Sequence, residues 1–484
     1  MQEKSQSLSP TPFQAIVTER LIVRRFVADD AENFLALRMD PKVGRYQSWE
    51  PMDRAAVESF IAGMANADPG VPGQWFQFAI ELRATGAFVG DCGLHLLAED
   101  PRQGEMGYTL HAAYHGQGLG QEAVAAVVNY AFSLPNVHRI AAIADIRNYN
   151  SIRLLERLGF RREGYTRQAF WNKGEWVDEY LYAMLRERWQ TLAPHRAKRS
   201  AKTNVVLLGT GTPNPDPERH GSAVAVIARG QSGPHVRGQA YLIDAGPGVV
   251  RRAAAAAERG MPELAMPRLT RLFLTHHHSD HTAGLPDLML MPWVLERNEP
   301  LVIYGPKGTQ AMVQHLLTAY AEDIRERREG LEPSNDQGHR VEVYEYEAGE
   351  IYRDDLVTVE AFRVQHGSWP AFGLRFTTAD RTVVVSGDTR PFDGLAAHCQ
   401  ECDVLVHEVY SANGFQRRPP EWQQYHAAVH TSTTELAALA NRVRPGLLVL
   451  VHQLFWGTSE DALVAEIREH YDGPVISGHD LDVF

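Results

Sequence analysis

Only three cysteines occur in 484 residues. That scarcity excludes a disulfide scaffold and fits a reducing compartment. Cys399 and Cys402 form a CxxC, but no second CxxC exists to complete a zinc site, and this spacing alone is weak evidence. They are expected as a structural pair on the helix preceding the apolar run DVLVH. No stretch approaches ~18 uninterrupted apolar residues, so no membrane-spanning helix is expected. The opening MQEKSQSLSPTPFQ has no apolar core and reads as no signal peptide; the expected location is the cytoplasm. Positive charge is in deficit too: 48 Lys and Arg against 60 Asp and Glu give a net charge of −12. That balance argues against a general nucleic-acid binder, though not against a local basic groove.

Composition is otherwise that of ordinary globular protein, 44% hydrophobic and 22% charged. The length exceeds what one core supports. The clearest seam is TLAPHRAKRSAKTN, polar, with Arg196, Lys198, Arg199 and Lys202. It reads as a solvated linker over 191–203, separating domains at 1–190 and 204–484. Upstream, TERLIVRRF and WFQFAIEL alternate like strands, while QEAVAAVVNYAF and NSIRLLERLGF have helical spacing. Downstream, VVLLGT, AYLIDAG, LTRLFLTH, TVVVSGD and LLVLVH are short β-rich runs, each stopping at Gly, His or Asp. In layered α/β folds, reactive groups gather at such strand ends.

THHHSDH concentrates this pattern. His276, His278, Asp280 and His281 follow the strand RLFL in the order H-x-H-x-D-H. In a tight loop, alternate residues turn toward one point while His277 and Ser279 face elsewhere. Imidazole and carboxylate donors suit Zn²⁺, and also Mn²⁺ or Fe. Four donors exceed what one tetrahedral ion needs if it keeps a water. Two ions are the economical reading, with His366, Asp388 and His452 at other strand ends completing the set.

LGTGTP, LIDAGPG, THHHSDHTAG, VQHG, SGDT and LVHQ, in that order, resemble the successive motifs of the metallo-β-lactamase superfamily. The resemblance covers Asn204 to Phe484 and implies an αββα sandwich. It implies that His276, His278 and His366 hold one metal and Asp280, His281 and His452 the other. Asp388 would bridge them, and Asp244 would support the site from behind. His407–Glu408, HTSTTELAALA from His430, and YGPKG resemble the ribonuclease Z (tRNA 3′-processing endonuclease) and arylsulfatase-like branch. By that likeness His430 donates a proton to the leaving oxygen and Glu408 holds its imidazole, with Asp280 also in the catalytic set. The tRNA-processing enzymes carry a long Gly- and Lys/Arg-rich arm, which has no counterpart between His281 and His366. The expected substrate is therefore a small phospho-, sulfo- or carboxylic ester, with nucleic acid disfavoured.

In the N-terminal half, YHGQGLGQEAV follows the strand GEMGYTL and opens a helix. Its glycines let backbone N–H groups crowd an anion at a helix start. With TERLIVRRF, NYNSIRLLERLGF and GEWVDEYLYAML, it resembles the GNAT acetyltransferases, in the branch containing ribosomal-protein alanine acetyltransferases. The likeness covers Thr18 to Trp189. It implies that Gln117, Gly118, Leu119 and Gly120 cradle the pyrophosphate of acetyl-CoA, and that Asn148 and Ser151 line the thiol end. Glu105 is the candidate base. The aromatic loops GRYQSWEP and RQAFWNKGEW are expected to shape an amine pocket, with Trp171 and Trp176 either there or in the core.

The expected whole is α/β (α+β), a GNAT fold followed by a metallo-β-lactamase sandwich, acting as acetyl-CoA-dependent N-acetyltransferase and dinuclear-metal hydrolase. Alternatives are a tRNA 3′-processing-type endonuclease bearing an acetyltransferase domain, and a hydrolase regulated by a non-catalytic acetyl-CoA-binding module. Small amines and esters are the expected partners, with no membrane, and assembly as a homodimer stays open.

Overall fold

The computed structural model describes residues 13–197, 202–230 and 238–484. The chain divides into two compact units, Met1–Leu192 and Ala193–Phe484. Lys198 and Arg199 of the expected linker lie outside the described residues, and its beginning is helical. The helix Arg186–Ala197 runs through it, because Trp189 and Leu192 bury their side chains and Trp189 Nε1 donates to Asn129 Oδ1. Among the described residues, no helix is long and apolar enough to cross a membrane.

The first unit is one eight-stranded sheet. Its order is Ile16–Val17, Leu21–Arg24, Trp75–Leu82, Ala87–Leu96, Gln103–Leu110, Arg139–Asp145, Glu175–Leu185, Arg161–Asn172. Every neighbouring pair is antiparallel except Gln103–Leu110 with Arg139–Asp145. These two parallel strands pair only from Gln103↔Arg139 to Glu105↔Ala141. Beyond Glu105 they part, and the sheet opens into a wedge at their C-terminal ends. Helix Leu119–Ser133 covers the sheet, burying Ala123, Val124, Val127 and Val128 against Phe78, Leu94 and Ile140.

The second unit stacks two sheets. One, of six strands, runs from Val341–Glu345 through Leu301–Gly305, Arg271–Phe273, Gly238–Ile243 and Ala223–Arg229 to Thr203–Gly209. The other, of seven, runs from Gly349–Arg353 to Val475–Ser477. Phe273 of the first meets Phe376 of the second edge to face at 5.6 Å. Helices Val249–Glu258 and Leu285–Val294 cover the outer face of the first sheet, and Thr433–Val443 and Glu460–Arg468 that of the second. Strands this apolar on both faces need cover on both, and the layered αββα sandwich supplies it.

Cys399 and Cys402 are joined by a disulfide and fully buried. Helix Gly394–His398 ends before them, so the pair lies in the turn leading to strand Val404–Tyr410 rather than on the helix.

Candidate functional site

Strand ends of both sheets in the second unit deliver polar side chains to one place. Asp244 follows Gly238–Ile243, and His276 to His281 follow Arg271–Phe273. Asp388 follows Thr382–Val385, and His452 lies near the end of Leu447–Leu454. Asp244 and His452 adopt φ of 59° and 45°, a left-handed conformation that non-glycine residues hold only when their surroundings impose it. A Cβ on Gly246 would strike the Asp280 carbonyl oxygen, so only glycine lets these two loops close on each other.

A third group, Asp388, His430 and His452, overlaps two principal donor groups, each with its atoms within 4.8 Å of one another: His276, His278, His366 and Asp388; and Asp280, His281 and His452. Asp388 stands between them. Its Oδ2 is 3.9 Å from His276 Nε2, 3.8 Å from His366 Nε2 and 3.5 Å from His452 Nε2. Its Oδ1 is 3.4 Å from His281 Nε2. Asp280 Oδ2 lies 3.0 Å from His452 Nε2 and 3.5 Å from His281 Nε2. His277 turns away to Thr309 Oγ1 at 2.8 Å.

Surrounding acceptors set which ring nitrogen is free. Thr275 Oγ1 donates to Asp244 Oδ2 at 2.8 Å, so it accepts from His276 Nδ1 at 3.0 Å. His281 Nδ1 donates to Asp244 Oδ2 at 2.7 Å, and His366 Nδ1 to the Val429 carbonyl at 2.8 Å. All three rings thereby turn Nε2 inward, the arrangement that orients metal-binding histidines. His276 Nε2 and His281 Nε2 are buried without a hydrogen-bond partner. Buried carboxylates require compensating cations, and the ion pairs formed by Asp280 and Asp388 are all to histidines. This donor chemistry fits two divalent ions of the zinc type.

Burial, then the neighbouring His281, holds His276 well below the ordinary imidazole range. Burial also lowers His278 and His366. It opposes protonation of His281 and His452 as well, but carboxylates win: Asp388 and Asp244 raise His281 well above its usual value, and Asp388 with Asp280 lifts His452 to about 8.

His430 sits where helix Pro420–Val429 ends and Thr433–Val443 begins. A capping box between Ser432 and Glu435 fixes that junction. Its ring centroid is 5.3 Å from that of His366 and 5.5 Å from that of His452. Glu408 Oε1 accepts from Thr431 N at 2.9 Å, and Oε2 faces His430 Nδ1 at 3.4 Å, beyond good hydrogen-bond length. Burial, then the Asp388 charge, raises Glu408 well above the carboxylate range, while burial lowers His430 to about 4.

In the first unit, Gly116 and Gly118 take φ of 74° and 76° and turn the chain into helix Leu119–Ser133, with Gly118 as its N-cap. Leu119 and Gly120 occupy the first helical turn, where N–H groups have no intrahelical acceptor. Arg20 Nη1 donates to the Gln117 carbonyl at 2.8 Å and its Nε to Glu122 at 2.7 Å, holding the loop. Asn148 caps helix Tyr149–Arg157, accepting from Ser151 N at 3.3 Å. Both helix starts follow the C-terminal ends of the two parting strands.

Glu105 lies where the strands are still paired. It is half-exposed and 3.8 Å from His95 Nδ1, and the structure does not bring it to Ser151. The side chain that does reach Ser151 is Tyr108, whose hydroxyl is 2.8 Å from Ser151 Oγ. Sequence reasoning missed it; its place in GEMGYTL just before the glycine loop was the available signal. Trp171 and Trp176 are not core: they are 55% and 56% exposed on the hairpin joining the last two strands.

Two family models match, one described as "Acetyltransferase (GNAT) domain" over residues 20–161 and one as "Beta-lactamase superfamily domain" over 239–453. A protein of Mycobacterium bovis named ribonuclease Z is 34% identical over 283 residues, covering 57% of this chain and 96% of that protein. The chain belongs to the ribonuclease Z family. A ribonuclease Z of Mycobacterium sp. (strain KMS) is 37% identical over 253 residues, or 52% of this chain and 84% of its own. An acetyltransferase (GNAT family) structure from Bacillus anthracis is 30% identical, covering 36% of this chain and 99% of its own, with a TM-score of 0.32. The chain thus joins an acetyltransferase domain, of the class that binds acetyl-CoA, to a metal-binding hydrolase domain of the ribonuclease Z type.

Proposed function

We propose that residues 1–190 form an acetyl-CoA-dependent N-acetyltransferase and residues 204–484 a dinuclear-metal phosphodiesterase acting on RNA. The observation that carries the hydrolase reading is Asp388, whose carboxylate lies within 4 Å of histidines from both principal donor groups. In this reading His276, His278 and His366 hold one Zn²⁺, Asp280, His281 and His452 the other, and Asp388 bridges them. When bound, the two ions supply an ionised water and neutralise charge on a phosphoryl oxygen. Asp244 and Thr275 keep the ligating rings aimed. The His430–Glu408 pair gives its proton to the leaving oxygen, because the imidazole faces the donor groups while Glu408 restores Nδ1 from behind.

RNA is preferred because the relatives matched along nearly their whole length are named ribonucleases; this reverses the preference drawn from net charge. A small phosphodiester is the second reading. It is favoured by the charged helix Ala321–Glu329, whose Arg325, Arg327 and Arg328 pair with Glu322, Asp323 and Asp336, leaving little cationic face for a polyanion.

On the acetyltransferase side, Gln117 to Gly120 would hold the pyrophosphate of acetyl-CoA. Asn148, Ser151 and Tyr108 would line the thioester, and Glu105 would serve as base. The test is side by side: release of a 3′ extension from a precursor RNA, hydrolysis of bis(p-nitrophenyl) phosphate, and acetyl-CoA consumption with an amine panel. Cleavage of the small ester without RNA cleavage selects the second reading. Acetyl-CoA binding without consumption would reduce the first unit to a sensor.

A further inference from the structure

The rim of the metal centre carries exposed aromatic rings that the reaction chemistry does not use. Trp422 and Tyr425, on helix Pro420–Val429, are 46% and 44% exposed, and Trp369, three residues beyond His366, is 47% exposed. These rings connect to the site. Trp369 lies 4.9 Å from the His278 ring. Trp422 stacks on His426 at 5.6 Å, His426 lies 5.6 Å from His430, and His430 stacks on His452 at 5.5 Å. The Arg418 guanidinium covers Trp422 at 5.5 Å and Trp456 at 5.4 Å, holding a positive charge among the rings. The Tyr425 ring lies 5.1 Å from that of His426 and 5.9 Å from that of Trp422. Exposed aromatic rings beside a polar site mark a binding surface.

We propose that Trp422, Tyr425 and Trp369, with Arg418, form a platform on which unpaired RNA bases flanking the scissile phosphodiester stack. This rests on the reading of the second unit as an RNA phosphodiesterase, and it names how that substrate is held. Every nucleobase offers a π-face, so aromatic rings grip single strands without reading sequence, and a guanidinium among them attracts the adjoining phosphate. The platform also reconciles a polyanionic substrate with a chain of net charge −12. Affinity drawn from stacking and a few local cations needs no broad basic surface, and gives a shallow dependence on salt. The preferred segment is therefore a single-stranded end rather than a duplex, whose bases are already stacked.

The test uses the full chain, with Asp280→Ala in the background for binding so that the strand survives. The probes are a fluorescein-labelled ten-residue oligouridylate and an abasic ribose-phosphate strand of equal length, followed by anisotropy. The expected result is tighter binding of the oligouridylate, weakened ~5- to 150-fold by Trp422→Ala or Trp369→Ala, with the abasic strand unaffected and Trp422→Phe retaining most of the affinity. Equal affinity for the two strands, or equal weakening of both, overturns the platform. Base-dependent binding without cleavage by the unsubstituted chain leaves the platform standing and removes the phosphodiesterase reading. Cleavage with base-independent binding does the reverse.

Discussion

Asp244 Oδ2 accepts the Nδ1 proton of His281 at 2.7 Å, although Asp244 belongs to a different strand end. The contact leaves His281 Nε2 pointing at Asp280 and Asp388. Asp244→Asn keeps the size and tolerates the 59° φ, but it removes the charge and one of the two oxygens that accept from Thr275 and His281. Metal affinity, measured by competition with a chromogenic chelator, should fall ~10- to 100-fold. Unchanged affinity would show that Asp244 does not orient the ligand.

The His430–Glu408 contact predicts a leaving-group effect. His430→Ala should slow hydrolysis of an alkyl phosphodiester by ~10²–10⁴ and that of a p-nitrophenyl ester far less, because a good leaving group departs without a proton. Glu408→Gln should follow the same pattern more weakly. Equal slowing across leaving groups, read from rate against leaving-group pKa, would remove His430 as the acid.

Gly118 adopts a φ of 76° at the start of helix Leu119–Ser133. Gly118→Ala adds ~1–2 kcal/mol of strain there and should relax the loop. The KM for acetyl-CoA should rise several-fold in a thiol-release assay, with phosphodiester turnover intact. An unchanged KM would place the pyrophosphate elsewhere.

Glu105→Gln separates two roles. As the base, Glu105 is expected to lower kcat ~10²–10⁴ on substitution, with KM for the amine little changed. A fall under threefold would fit its half-exposed position beside His95 and transfer attention to the Tyr108–Ser151 hydroxyl pair.

The candidate metal centre was legible because its densest part is local. His276 to His281 occupy one loop, and the remaining donors each end an apolar run, which hydrophobic patterning marks. What sequence could not show depends on distant contacts. Thr275 reads as an ordinary strand residue until Asp244 and His276 meet it. Tyr108 gains its role only because the strands part after Glu105, and pairing register is not written in either strand alone. The helix Arg186–Ala197 was hidden by its polar composition, since only Trp189 and Leu192 anchor it. Trp422 and Tyr425 carry no signal in PEWQQYHAAV, and their exposure is visible only in the fold. The preference for small esters over RNA leaned on net charge, which averages over a whole chain, whereas recognition depends on the few groups beside the site.

The most direct test of the account counts metal ions. Elemental analysis of the purified full chain, together with native mass spectrometry, should find two equivalents of a transition metal per chain. Asp388→Ala should lose at least one, and chelation should lower the melting temperature as the bound-state stabilisation is withdrawn. A chain that folds yet holds one equivalent or none, under conditions where it turns over phosphodiesters, would contradict the dinuclear site.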